Sequence, residues 1–186
     1  MRLFRYLIIL LAGGWLVGEI ALIPLANGRI ESEVANRTRD AANVNASIGS
    51  FPVATRVLVT GKVSKLSVTL ERIARQALTY AEVEYDVAGI AVDRPAILQG
   101  KVKINSIDSG TVTATIDAGA LGGIASLAGV DVRVDGRTLH VAGRALALDQ
   151  ELIPCQPTAR IEGEQVLLTC TLEEVPDILL EAVQQP

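Results

Sequence analysis

The chain has 186 residues, 49 % of them hydrophobic but only 3 % aromatic, and a formal net charge of −4. A chain of this length, less a leader, suits one domain that can bury a core without metals or many disulfides, packed with Val, Ala, Ile and Leu. The mild charge, with Lys and Arg scattered and no basic stripe or aromatic platform, argues against nucleic acid as a partner.

Arg2 and Arg5 precede an apolar run from Tyr6 to Gly18; Glu19 interrupts it, and a second apolar stretch runs from Ile20 to Ala26. A basic start before such a run marks a secretory signal or signal anchor, with the basic end kept cytoplasmic. The stretch from Leu3 to Ala26 is long enough to span a bilayer as a helix, at a cost for Glu19 unless that residue lies near the interface. No convincing small-x-small cleavage site follows, since Pro24-Leu25-Ala26 offers one suitable position only. Residues 1–26 therefore read as a signal or anchor that exports the chain, and 27–186 as a single domain outside the cytoplasm. A buried helix of the domain is the competing reading of the leader.

Beyond Pro24, Ala26, Ile30 and Val34 recur at a spacing of four, beside a ladder of Arg29, Glu33 and Arg37. This predicts an amphipathic helix over 25–42. Val44 to Ile48 is a short strand, and Val53 to Val59 a short helix ending at Gly61. From Lys62 the period becomes two: Leu66, Val68 and Leu70 alternate with polar residues, and so do Val83, Tyr85 and Val87. Lys101 to Ile104 and Thr111 to Ile116 continue as strands around an Asp108-Ser109-Gly110 turn or bulge. Asp117 reads as the N-cap of a thin helix over Ala118 to Ala128, weakened by Gly119, Gly122 and Gly123. Val130, Val132 and Val134 then lead through Asp135-Gly136 into Thr138 to Val141, a hairpin. A second hairpin pairs Thr158 to Glu162 with Gln165 to Leu172 around Gly163-Glu164, and Pro176 opens a last helix. The sum is α+β: one antiparallel sheet with two or three helices.

Cys155 and Cys170 are an even pair in a chain that reads as exported, and the hairpin between them brings them near each other, so a disulfide is expected. Two buried thiols are the alternative. There is no third sulfur or nearby histidine for a zinc site, and His140, the one histidine, lies in a strand without a partner. Ser126 lacks a G-x-S-x-G setting, and no lysine follows the Gly119 to Gly123 segment as in a phosphate loop. Glu82, Glu84 and Asp86 share a strand face but lack a calcium loop, and read as a solvated face. Asn36-Arg37-Thr38 and Asn45-Ala46-Ser47 match the glycosylation pattern, which is short enough to occur by chance. Nothing here supports an enzyme, and no cofactor is expected.

The segment Ile48 to Lys62 resembles the LmeA family: Phe51-Pro52, then Thr55, Leu58 and Gly61, then the alternation through Leu66, Val68 and Leu70. The segment Arg29 to Ala35 is similar to the helix that follows that family's N-terminal hydrophobic stretch, and a weaker likeness extends to Leu180. Ser50, where a small residue or second glycine is usual, and Val53, where an aromatic is common, depart from the pattern. The resemblance implies a phospholipid-binding protein of the bacterial cell envelope, typical of actinobacteria, at the outer face of the cytoplasmic membrane. In mycobacteria such proteins are connected with lipomannan elongation. It also implies a curved antiparallel sheet wrapping one or two helices, similar to half of a tubular lipid-binding domain, with an apolar groove.

On that reading Leu66, Val68, Leu70, Val112, Ile116, Leu121 and Ile124 form the lipid-binding wall, with Phe51 and Leu58 near a mouth. The expected function is binding of phospholipid acyl chains, in the context of lipid transfer or envelope glycolipid assembly. The alternation by itself favours a filled core; the resemblance weighs for the groove, and both stay open. The competing class is an anchored structural module that docks an envelope protein through a sheet edge.

Overall fold

A computed structural model describes residues 41–49, 53–75, 78–93, 104–122 and 126–174, with Asn27, Gly28, Glu31, Ser32, Pro95, Ala96 and Ile124; the side chains of 53–55 and 58 are not among those described. Within these residues the protein is mostly antiparallel sheet. The strands are β1 (Asn43–Ile48), β2 (Lys62–Arg75), β3 (Leu78–Val92), β4 (Ile104–Ser106), β5 (Ser109–Asp117), β6 (Val132–Asp135), β7 (Thr138–Val141), β8 (Arg144–Ala147), β9 (Thr158–Glu162) and β10 (Gln165–Leu172). An α-helix, α1 (Val53–Thr60), joins β1 to β2. It stops where Gly61 takes a left-handed φ of 68° and donates its N–H to the Val57 carbonyl.

The strands form two sheets where the sequence predicts one. Seven make a curved, unclosed sheet of order β1-β2-β3-β5-β10-β9, with β4 also paired to β3. The other three, β6-β7-β8, form a separate small sheet. Strand β8 has no counterpart in the sequence analysis, because the Ala142-Gly143 turn before it lacks an Asn-Gly signature. Ala142 nonetheless adopts a φ of 50° and Gly143 of 77°, the two positive values that a tight hairpin requires. Side chains of both sheets share one core: Leu139 and Val141 of β7 are buried with the apolar residues of the large sheet.

The helix expected over Ala118 to Ala128 is a 3-10 turn, Ala118–Leu121. Asp117 makes no side-chain capping bond, and Gly122 turns left-handed at φ 85°, which ends the element. The glycines that weakened the predicted helix thus prevent it, since Gly loses more conformational freedom in a helix than any other residue. Asn27, Gly28, Glu31 and Ser32 are helical, and the Glu31 carboxylate accepts the N–H of Ala46 on edge strand β1 at 3.0 Å. The rest of the helix predicted over 25–42, the leader 1–26 and the last predicted helix lie outside the described residues, so a sheet wrapping one or two helices has no support here. Among the described residues no helix is long and apolar enough to cross a membrane.

The long β2–β3 hairpin bends through breaks in its pleat. Buried positions on β2 run Leu66, Val68, Leu70 and then Ile73; on β3 they run Leu78, Tyr80, then Val83, Tyr85, Val87, then Ile90, Val92. Two of these parity changes contain a left-handed residue, Arg72 at φ 51° and Gly89 at φ 64°. Such a residue interrupts the alternation, so the strand bends and keeps presenting apolar side chains to one core. At Gly89 the Asp108 side chain packs so closely that a Cβ would stand 2.1 Å from its Oδ2 and 2.5 Å from its own Cβ. Gly89→Ala is therefore expected to cost about 1–3 kcal/mol from the left-handed backbone, with the clash added. A urea midpoint unchanged from the parent would contradict this account of the bend.

Candidate functional site

Strand register places the predicted wall residues in rows across the large sheet. The middle row runs Ala46, Val68, Tyr85, Val112, Cys170 from β1 to β10. On one side lies Val44, Leu70, Val83, Ala114, Leu168, and on the other Ile48, Leu66, Val87, Gly110, Leu172. Side chains point alternately to the two faces of a strand, so these residues share one face. Apart from the partly buried Val44 and Ile48 at the edge, the side chains are almost fully buried. In the third row Gly110 leaves a notch that Leu172 fills: a Cβ there would lie 2.9 Å from the Leu172 Cβ.

Among the named candidates, Leu66, Val68, Leu70, Val112 and Ile116 lie on this face, and Leu121 of the 3-10 turn is fully buried in the same core. Ile124 is half-buried against it. Phe51 and the Leu58 side chain, the expected mouth, lie outside the described residues. The opposite face is polar: Asn45, Thr69, Glu84, Thr113 and Thr169 form its middle row. Glu82, Glu84 and Asp86 stand on that face. Partial burial tends to raise the Asp86 pKa, but the Ser67 hydroxyl and Lys65 ammonium outweigh it and hold the carboxyl below its usual range. His140 in β7 is half-buried opposite Arg133 and Ala145.

Sequence reasoning missed the segment that crosses the apolar face. Residues 148–155 form no strand, yet Leu148, Leu152 and Ile153 are buried in the core. Asp149 shapes a turn: its Oδ1 accepts the N–H of Glu151 at 2.8 Å and of Leu152 at 3.2 Å, and its carbonyl accepts the N–H of Ile153 at 3.0 Å. Side chains from elsewhere hold the segment down. The Tyr85 hydroxyl donates to the Leu152 carbonyl at 2.7 Å, and the Tyr80 hydroxyl oxygen accepts the Asp149 N–H at 3.4 Å. Arg137 donates to the carbonyls of Ile153 and, at 3.1 Å, Pro154. Cys155 is bonded to Cys170, with Cα atoms 5.8 Å apart. Burial pushes both tyrosine pKa values up, and the nearby Asp149 charge adds to the rise at Tyr85. Both phenols therefore stay protonated, and Tyr85 remains a donor, across the physiological range. The available signal was an Asx-turn aspartate followed by an apolar Leu152-Ile153 pair in what reads as a loop.

The apolar face thus meets the buried hydroxyls of Tyr85 and Tyr80, which hold Leu152 and Asp149 against it. Among the described residues no group of His, Cys, Asp and Glu is arranged to hold a metal. The LmeA-like phospholipid-binding family matches residues 23–185. The chain belongs to that family. No curated protein and no solved structure matches it. Membership in the LmeA-like family suggests phospholipid as the ligand, and the family is one of lipid-binding domains, not of known enzymes.

Proposed function

We propose that this LmeA-like protein holds phospholipid acyl chains against the apolar face of its large sheet, at the outer face of the cytoplasmic membrane. The observation that carries the proposal is the set of apolar rows across the sheet in a chain of this family. In this reading Leu66, Val68, Leu70, Val112, Ile116, Leu121 and Ile124 form the wall, and Phe51 and Leu58 stand near its mouth. Residues 1–26 deliver the chain and keep it at the bilayer as a single-span anchor. The role is lipid binding without catalysis, in lipid transfer or envelope glycolipid assembly.

Each buried acyl methylene contributes about 0.8 kcal/mol, so part of a two-chain lipid suffices for retention through purification. No convergent Arg or Lys cluster marks a headgroup site in the sequence, so selectivity among phospholipids should be modest. The test is to purify the domain lacking Met1 to Ala26, extract it with organic solvent, and identify released lipid by mass spectrometry. Phospholipid near one molecule per chain is the expected result. Folded protein that carries no lipid and ignores phosphatidylglycerol vesicles would overturn the reading and favour a module that docks an envelope protein. Sequencing the N-terminus of membrane-fraction protein tests the anchor; a mature chain beginning near Asn27 would rule it out while leaving export intact.

A further inference from the structure

Residues 148–155 cross the candidate lipid wall at its middle row. Leu152 is tied to Tyr85 on β3 and Cys155 to Cys170 on β10, and both anchors belong to the row that contains Val112 on β5 between them. Neighbouring strands lie about 4.8 Å apart, so β3 and β10 are separated by roughly 10 Å. The three residue steps from Leu152 to Cys155 reach about that far when extended. The segment is thus a strap laid over the sheet across its strands. Val112, beneath it, is fully buried.

We infer that this strap is a stand-in for the lipid and that phospholipid must displace it. The inference rests on the reading of the apolar face as the acyl site. Leu152 and Ile153 present branched apolar side chains to the core, as an acyl chain would. The Leu152 carbonyl accepts a bond from a buried tyrosine hydroxyl, as the ester carbonyl of a glycerolipid would. A ligand that fills the middle row therefore meets the same surface and the same donor as the strap.

The strap's attachments fit that exchange. A strand is released only when a whole ladder of backbone bonds breaks, whereas Leu152 and Ile153 belong to no ladder. Polar ties to other elements come from Tyr85, Tyr80 and Arg137 side chains and from the Leu148 N–H bonded to the Arg137 carbonyl. Segments held this way open ahead of the sheet that carries them. The disulfide fixes the Cys155 end and β8 with the Leu148–Arg137 bond fixes the other, so the strap lifts as a loop between them, its free length the Asp149 turn with Leu152 and Ile153.

Hydrogen–deuterium exchange on the full chain, freed of lipid and kept soluble in an amphipathic polymer, tests this when phosphatidylglycerol is added. Exchange at residues 149–153 should rise at least about tenfold on lipid binding, while β10 amides stay protected. A Tyr85→Phe variant should raise exchange of the same strap amides about five- to tenfold without lipid, because one buried hydrogen bond is lost. Lipid bound with the strap equally or better protected overturns the displacement and leaves the lipid reading intact. Absence of bound lipid, checked by extraction from the same sample, overturns the lipid reading and the strap's role with it. A Tyr85→Phe strap that exchanges like the parent's overturns the claim that this hydroxyl is its latch.

Discussion

Val68→Asp should abolish the stable fold, and Leu121→Asp should do the same. Val68 is fully buried in the middle row, between Ala46 on β1 and Tyr85 on β3. Leu121 is fully buried at the end of the 3-10 turn that follows β5. A carboxylate at either place loses its water without gaining a counter-ion, and the cost exceeds about 3 kcal/mol even if the group protonates. That is a large share of the roughly 5–15 kcal/mol that holds a domain together. Thr69→Asn, one residue along and on the polar face opposite Glu84, should change stability far less, by about 0.5 kcal/mol. Urea denaturation followed by circular dichroism compares the three. If Val68→Asp and Leu121→Asp instead fold normally and lose only bound lipid, the apolar face is an open groove and not a core filled by the chain's own residues.

Loss of the Cys155–Cys170 bond should be the second large effect. The bond closes a loop of 15 residues, and in the chain-entropy model such a closure contributes about 3 kcal/mol. For a chain of this size that corresponds to a fall in Tm of roughly 6–12 °C. Its place adds a second consequence: it pins the strap to the end of the middle row, so removing it loosens the Leu152 and Ile153 segment at its C-terminal end. Cys155→Ser with Cys170→Ser should therefore lower Tm and also speed exchange of the strap beyond the change in global stability. Intact mass before and after reduction and alkylation establishes the bond first. Two thiols that alkylate freely in unreduced protein from an oxidising compartment would end this line.

Where the pattern is local, the sequence is sufficient. The hairpin of β9 and β10 forms with the expected bounds, because alternation on both sides of Gly163-Glu164 fixes a two-residue loop and Gly163 takes the positive φ of 62°. The strands through Leu66–Leu70 and Val83–Val87 were legible for the same reason: period-two alternation names the buried face before any partner is known. The family likeness, carried by Phe51-Pro52, Thr55, Leu58 and Gly61, was legible as well, and with it phospholipid as the ligand class.

Contacts far apart in the chain decided the rest. Parity changes at Arg72 and Gly89 put Ile73 and Ile90 on the buried side, and nothing in the local alternation marks Arg72 as left-handed. The division into two sheets depends on which edges meet, a property of tertiary packing and not of any single strand's alternation. The strap shows this most plainly: Leu152 and Ile153 read as loop residues because their burial comes from Tyr85, 67 positions away, and from Cys170 across the disulfide. Hydrophobic periodicity reports the face an element offers, but only the folded chain determines what covers it. In this protein the sequence determined which strand faces are apolar, and the tertiary structure decided that residues 148–155 of the same chain lie across the apolar face of the large sheet.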